Sequence, residues 1–168
     1  MDESEFKRVD LHDGLESTLL ILQHRLKASY DHPLIALTKR YADLPLIDCA
    51  VGLLNQVFMN LLSNSIDAME SACQQHLIQQ PEIQIRTAIE SDGVMIRIID
   101  NGIGIPEQIQ HRLFDPFFTT KPVGKGTSLG LSISYQIIVE KHQGTLECHS
   151  KIGQGTEFRI WIPIKSQV

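Results

Sequence analysis

The sequence predicts an α+β sandwich, with helices on one face of a sheet built from antiparallel hairpins. Three observations lead to this class. Two long segments carry apolar residues at helical spacing. Two alternating apolar runs meet at Ser91-Asp92-Gly93, a strong hairpin signal. A second pair of strand-like runs closes the chain on either side of Gly153-Gln154-Gly155. The 168 residues suffice for one domain with a substantial core, and we read 1–168 as that domain.

In chain order, Val9-Asp10-Leu11 reads as a short strand. Residues 13–26 then read as a helix, because Leu15, Leu19, Leu22 and Leu26 fall on one face. Residues 34–38 form a strand, followed by a loop closed by Leu44-Pro45. The strongest helix spans 51–75, its apolar stripe made by Val57, Leu61, Ala68 and Ala72, with Leu54, Phe58 and Met69 beside it. Pro81 ends that region, and the runs 83–86 and 94–98 are the hairpin strands. Residues 100–105 form a Gly-rich turn, and Pro106 suits the first turn of a short helix. Residues 114–128 lack periodicity and read as a long loop, whereas 129–142 read as a helix that Gly144 terminates. Strands near 145–150 and 156–164 complete the sheet.

Composition narrows the function. Hydrophobic residues make up 42% and charged residues 21%, with a formal net charge of −5 and no basic run. That argues against a nucleic-acid or membrane footprint, and any anionic ligand must be held by local geometry. Cys49, Cys73 and Cys148 are widely spaced and read as reduced structural residues. The seven histidines are scattered, without an HExxH-like ligand pair. No apolar stretch approaches the roughly 20 residues that span a bilayer. The acidic N-terminus is no signal peptide, so a cytoplasmic location is expected, with attachment to a membrane left to a larger parent protein.

Four stretches carry chemistry. Asn60, Asn64 and Asp67 share a helix face. Taken alone they read as a solvated stripe, but a carboxamide oxygen also suits Mg²⁺, a hard cation that keeps several waters. Asp100-Asn101-Gly102-Ile103-Gly104-Ile105 follows a buried-looking strand, either as a plain Asn-Gly turn or as a carboxylate able to accept from the amino group of adenine. Gly124-Lys125-Gly126-Thr127-Ser128-Leu129-Gly130-Leu131 runs into a helix, whose first amides suit phosphate. It is neither a Walker A nor a Rossmann glycine motif. Phe114, Phe117 and Phe118 crowd a loop flanked by Pro116 and Pro122, either docking on the core or forming a lid.

Together these stretches resemble the catalytic and ATP-binding domain of sensor histidine kinases, within the superfamily shared with heat-shock chaperone and type II topoisomerase ATPases. The matching segments are NLLSNSIDA (60–68), DNGIGI (100–105), FDPFFTTK (114–121), GKGTSLGLSIS (124–134) and GQGTEF (153–158). The resemblance implies a two-layer α/β sandwich, a mixed, mostly antiparallel sheet packed on three helices, with a mobile ATP lid. It implies Asn64 as the Mg²⁺ ligand and Asn60 as a polar neighbour facing the phosphates. It implies Asp100 as the adenine reader, in a nucleotide-binding set with Gly102, Gly104 and Ile105. The lid and the helix after it would contribute Lys121, Gly124, Lys125, Gly126, Thr127, Ser128, Leu129, Gly130 and Leu131, and Thr156 would help hold the adenine edge. Ser128 stands where many members have glycine.

In hydrolysing relatives the resemblance places a glutamate at the position of Asn60, acting as general base. An amide takes up no proton at neutral pH, which favours phosphoryl transfer over hydrolysis. His12-Asp13-Gly14-Leu15 is the nearest approach to a phosphoacceptor motif and lacks its proline and its long helix pair. The expected activity is therefore γ-phosphoryl transfer from Mg-ATP to a histidine on a separate dimerisation domain of the same parent protein, with a response-regulator receiver domain as indirect partner. A serine/threonine kinase of the anti-sigma type or an ATPase on the same scaffold is the alternative, and a nucleotide-free pseudokinase a third reading.

Overall fold

The computed structural model describes residues 5–116, 118 and 128–166, with only the backbone of Ser128 and Leu129. Five strands form one sheet in the order β2 (Ala36–Arg40), β4 (Glu82–Glu90), β5 (Gly93–Asp100), β7 (Gly155–Pro163), β6 (Thr145–Lys151). β2 runs parallel to β4, and the other pairs are antiparallel. β1 (Phe6–Val9) and β3 (Ile47–Ala50) pair separately as an antiparallel ribbon. Helices α1 (Leu11–Leu26), α2 (Val51–Gln74) and α4 (Ser128–Tyr135) make the second layer, and α3 (Glu107–Gln110) is a single turn. This is the mixed, mostly antiparallel sandwich on three helices that the sequence predicts.

The core lies between the layers. Leu15 and Leu19 of α1 meet Leu54, Val57, Phe58, Leu61 and Ile66 of α2, over Ile83, Ile85, Ile96, Ile98 and Ile160 of the sheet. Each such side chain, fully withdrawn from water, contributes about 1.5–3 kcal/mol. Ala68 departs from the expected stripe. It is only half-buried, and its backbone faces Gly102 across the helix surface instead of the sheet.

Several boundaries shift for physical reasons. Asp10 is no strand residue but the N-cap of α1, its carboxylate accepting from the His12 amide at 2.9 Å, so the helix starts earlier. β3 falls between the loop closed by Leu44-Pro45 and the helix read from 51, where no element is read; four residues running straight into α2 leave too little alternation to register. The β4–β5 turn is Ser91-Asp92, with Ser91 at φ 57°, and Gly93 already pairs with Glu90. Gly93 and Gly144 are needed instead because a Cβ on either would strike Trp161.

The last helix changes pitch. α4 continues as a π-helical stretch, Gln136–Lys141, and the left-handed residue that ends it is Gln143 (φ 57°), not Gly144. The change positions His142, whose Nδ1 lies 2.8 Å from the Ile137 carbonyl and whose Nε2 accepts from the Ala50 amide at 3.1 Å. α2 has no side-chain cap, so His142 supplies the acceptor for one of its N-terminal amides.

Candidate functional site

Asp100 ends β5 and is 4% exposed. Its Oδ1 accepts from the Gly102 amide at 2.8 Å. Burial drives its pKa up from 3.8 to about 6, partly countered by the Gly102 amide, the Ser65 hydroxyl and the Thr156 amide. Ser65, on α2, is buried and forms no hydrogen bond of normal geometry, but it lies near enough to favour the carboxylate. Burial also pushes the Cys148 thiol up to about 12, with the nearby Asp100 charge adding to the effect. That thiol is inert at neutral pH.

The turn after Asp100 is clamped from three sides. A Cβ on Gly102 would come within 2.9 Å of Ala68 and of the Asp100 carboxylate. Gly104 (φ 80°) and Gly155 (φ 107°) adopt the left-handed region, and a Cβ would collide with the Lys151 carbonyl and the Asp100 carbonyl respectively. Asn101 bridges backward, donating to the Gln80 carbonyl and accepting from the Glu82 amide, both at 2.9 Å. Thr156 pairs with Asp100 in the β5–β7 register and is buried. Its hydroxyl lies 2.8 Å from Ser150 Oγ, which accepts from the Ile105 amide at 2.8 Å. Gln110 of α3 completes the clamp, donating to the carbonyls of Ile105 and Ser150.

On α2 the three polar residues part company. Asn60 Nδ2 donates to the Gly130 carbonyl at 3.1 Å and to Ser134 Oγ at 3.2 Å, tying α2 to the first turns of α4. Asp67 turns to α1, where Arg25 bridges it (2.8 Å) and Glu70 (2.7 Å). Asn64 is half-buried between them. Asn60, Asn64 and Ala68 are successive i, i+4 neighbours. The face they share therefore runs from the start of α4 to the Gly102 turn, about 12 Å along the helix axis, with Asn64 midway.

Asp100, Gly102, Gly104, Ile105 and Thr156 are thus brought together at one end of this face, and Asn60, Gly130 and Leu131 at the other. Lys121, Gly124, Lys125, Gly126 and Thr127, with Phe117 and most of the expected lid, lie outside the described residues, as do the side chains of Ser128 and Leu129. Phe114 stacks on Tyr135 of α4 at 5.4 Å, and the Arg112 guanidinium lies 4.7 Å over the Phe118 ring. His12 lies 2.8 Å from the Thr87 hydroxyl and stacks on Tyr41, a packing role within the fold. Among the described residues no group of three His, Cys, Asp or Glu could hold a metal. An open cavity of about 740 Å³ reaches the clamp itself, at Asp100, Ile105, Gln110, Ser150, Gly155 and Thr156, and continues over Ile99, His149, Glu157 and Arg159. No residue of α2 lines it.

Sequence reasoning missed Ser65, Ser150, Gln110 and Asn101. Only Ser65 and Asn101, inside the NLLSNSIDA and DNGIGI segments, carried any signal.

Comparison with known proteins agrees with this geometry. Residues 50–166 match the family described as histidine kinase-, DNA gyrase B-, and HSP90-like ATPase. The chain belongs to that family, and it carries the family's ATP-binding fold. The signal transduction histidine-protein kinase AtoS of Escherichia coli K12 is 35% identical over 166 residues, 98% of this chain and 25% of its own length. The sensor kinase CckA of Brucella abortus is 39% identical over 128 residues, 72% of this chain and 13% of its own. Sporulation kinase E of Bacillus subtilis is 41% identical over 123 residues, 73% of this chain and 15% of its own. The chain therefore spans a quarter or less of these sensor kinases. Among solved structures, a nucleotide-free catalytic domain of histidine kinase ThkA superposes with a TM-score of 0.79 at 25% identity, covering 96% of this chain and 97% of that one. No helix among the described residues is long and apolar enough to cross a membrane.

Proposed function

We propose that this chain is a single domain, the ATP-binding catalytic domain of a sensor histidine kinase, and that it directs the γ-phosphoryl group of ATP to a histidine on a separate dimerisation domain of its parent. The observation that carries the reading is the α2 face: a buried carboxylate and glycine clamp at one end, the start of α4 at the other, and Asn64 between. The clamp fits a flat base, because Gly102 lets the turn pack directly on Ala68 and on the Asp100 carboxylate, which is shielded from bulk water. Asp100 would accept from the exocyclic amino group of adenine, and Thr156, fixed by Ser150, would hold the ring edge. A base carrying a carbonyl at that position would set two acceptors against each other, so guanine is disfavoured.

Asn64 offers a neutral oxygen, suited to a Mg²⁺ that keeps most of its water and reaches the protein through one or two ligands. That ion, when bound, would offset charge on the phosphate oxygens. Asn60 takes no proton; it holds the Gly130 carbonyl and so sets where the first amides of α4 point, which would face the phosphates together with Ser128, Leu129 and Leu131. Gly124, Gly126, Thr127, Lys121 and Lys125 belong to the same proposed phosphate set. Among the described residues the phosphate end of this face carries amides and hydroxyls and no general base, so the residues position ATP for an incoming nucleophile, and catalysis is orientation and charge stabilisation. The receiver domain of a response regulator would then take the phosphoryl group from the histidine.

The test combines the chain, ATP labelled at the γ-phosphate, and the separately produced dimerisation domain of the parent. Acid-labile, base-stable label on that domain is the expected result. Acid-stable label on serine or threonine, or phosphate released to water without transfer, would overturn the reading.

A further inference from the structure

The sheet face turned away from the helices carries a row of arginines. Arg40 pairs with Arg86, Arg86 with Arg97, and Arg97 with Arg159, on four adjacent strands. Arg86, Arg97 and Arg159 alternate with buried neighbours such as Ile85, Ile96, Ile98 and Phe158, and the β2–β4 register sets Arg40 beside Arg86, so all four lie on the outer side. Like charges directly opposite across strands destabilise a sheet. Glu157 offsets part of this by pairing with both Arg97 and Arg159, and the row ends on β6 at Glu147, directly opposite Arg159. Arg86 has only the neutral Gln84 amide, at 3.0 Å, and among the described residues no carboxylate pairs with Arg40 or Arg86. The Nε atoms of Arg86 and Arg97 are buried without a partner, a further cost to the fold. The uncompensated positive charge therefore lies at the Arg40–Arg86 end of the row, on a chain whose net charge is −5.

We propose that this row docks an acidic helix of a partner protein. Adjacent strands lie about 4.8 Å apart, so the four guanidinium groups are spread over about 14 Å across the sheet. A helix laid along the row, with carboxylates alternately three and four residues apart, presents one every 5.3 Å or so, nearly the same interval. Apolar side chains border the row. Met95 lies opposite Trp161 on one side and Ile99 on the other, all half-buried. Arginine with tryptophan and methionine is the composition of protein interface centres. A single-stranded nucleic acid would call for several exposed rings to stack on, and the face offers one half-buried tryptophan.

The probe is a labelled eighteen-residue alanine-rich helical peptide carrying one stripe of glutamates at alternating three- and four-residue spacing. Anisotropy at low ionic strength should show binding that weakens with salt and is lost when glutamines replace the glutamates. Arg40→Glu combined with Arg86→Gln should weaken it about tenfold or more, with Mg-ADP affinity unchanged. Because Arg40 is exposed, Arg40→Glu alone leaves the fold intact and carries the same test. No detectable binding, equal binding by the variants, equal binding of the glutamine peptide, or tighter binding of an oligothymidylate of similar length would each overturn the proposal.

Discussion

Replacing Asp100 by Asn separates stability from recognition at one atom. Asp100 is buried, and its pKa stands at about 6 against an ordinary 3.8. The unfolded chain therefore ionises first as pH rises from about 4 to 6, and the native state loses stability across that window. A gap of about 2 pH units, at 1.36 kcal/mol each, makes the penalty about 3 kcal/mol once pH exceeds 6. Asn carries no such penalty. It forfeits part of the bonding to the Gly102 and Thr156 amides, a pH-independent loss of about 1–3 kcal/mol. The stability of Asp100→Asn minus that of the parent should thus climb by about 2 kcal/mol between pH 4 and 6.5 and then level off. Urea unfolding of both proteins at half-unit steps of pH measures the difference directly. A flat difference, or one that falls with pH, would refute the claim that burial raises this carboxyl's pKa. In the same variant adenine nucleotides should bind far more weakly, since the acceptor is diluted by an amide donor.

Other consequences follow from named contacts. Arg25→Met removes two charge-assisted bonds, to Asp67 and Glu70, and should cost about 1–3 kcal/mol; a thermal scan should show Tm lower by about 2–8 °C, and a change under one degree contradicts the bridge. His142 is held neutral, its pKa lowered from 6.5 chiefly by burial, so stability should decline as pH falls below about 6.5. A His142→Gln variant should lack that component of the slope in the same unfolding series. Gly155→Ala forces a side chain into left-handed backbone against the Asp100 carbonyl and should cost about 3 kcal/mol or more. Gly130→Ala meets Asn60 no closer than 3.6 Å, so its unfolding midpoint should match the parent while nucleotide affinity drops.

Much of the fold was readable because its burial is periodic. The leucine stripe of α1 and the run from Leu54 to Ala72 in α2 declare which side is inside, and the alternation in β4 and β5 does the same for the sheet. The π-helical stretch and the pairing of β3 were not readable, since both depend on what packs against them. Glycine was misjudged for a similar reason: Gly93 and Gly144 answer to Trp161, a distant residue, and the turns themselves fall on Ser91-Asp92 and Gln143. At the site, Asp100, Gly102 and Thr156 stood out as sequence boxes and do converge. Ser150 and Gln110, which hold Ile105 and Thr156 in place, leave no trace in spacing because their partners lie 40 or more residues away or on a neighbouring strand. Asp67 shared a face with Asn60 and Asn64 by periodicity alone, and an arginine from another helix decided its direction.

The claim on which the functional reading rests is that one face of α2 links an adenine-selective carboxylate to a metal-bearing amide. Calorimetric titration of the chain with Mg-ADP and Mg-GDP, repeated for Asp100→Ala and for Asn64→Ala, tests both ends together. The reading predicts binding of the adenine nucleotide alone, its near loss in Asp100→Ala even without metal, and a loss of only the Mg²⁺-dependent part in Asn64→Ala. Equal heats for the two nucleotides, or variants that bind as the parent does, would contradict it.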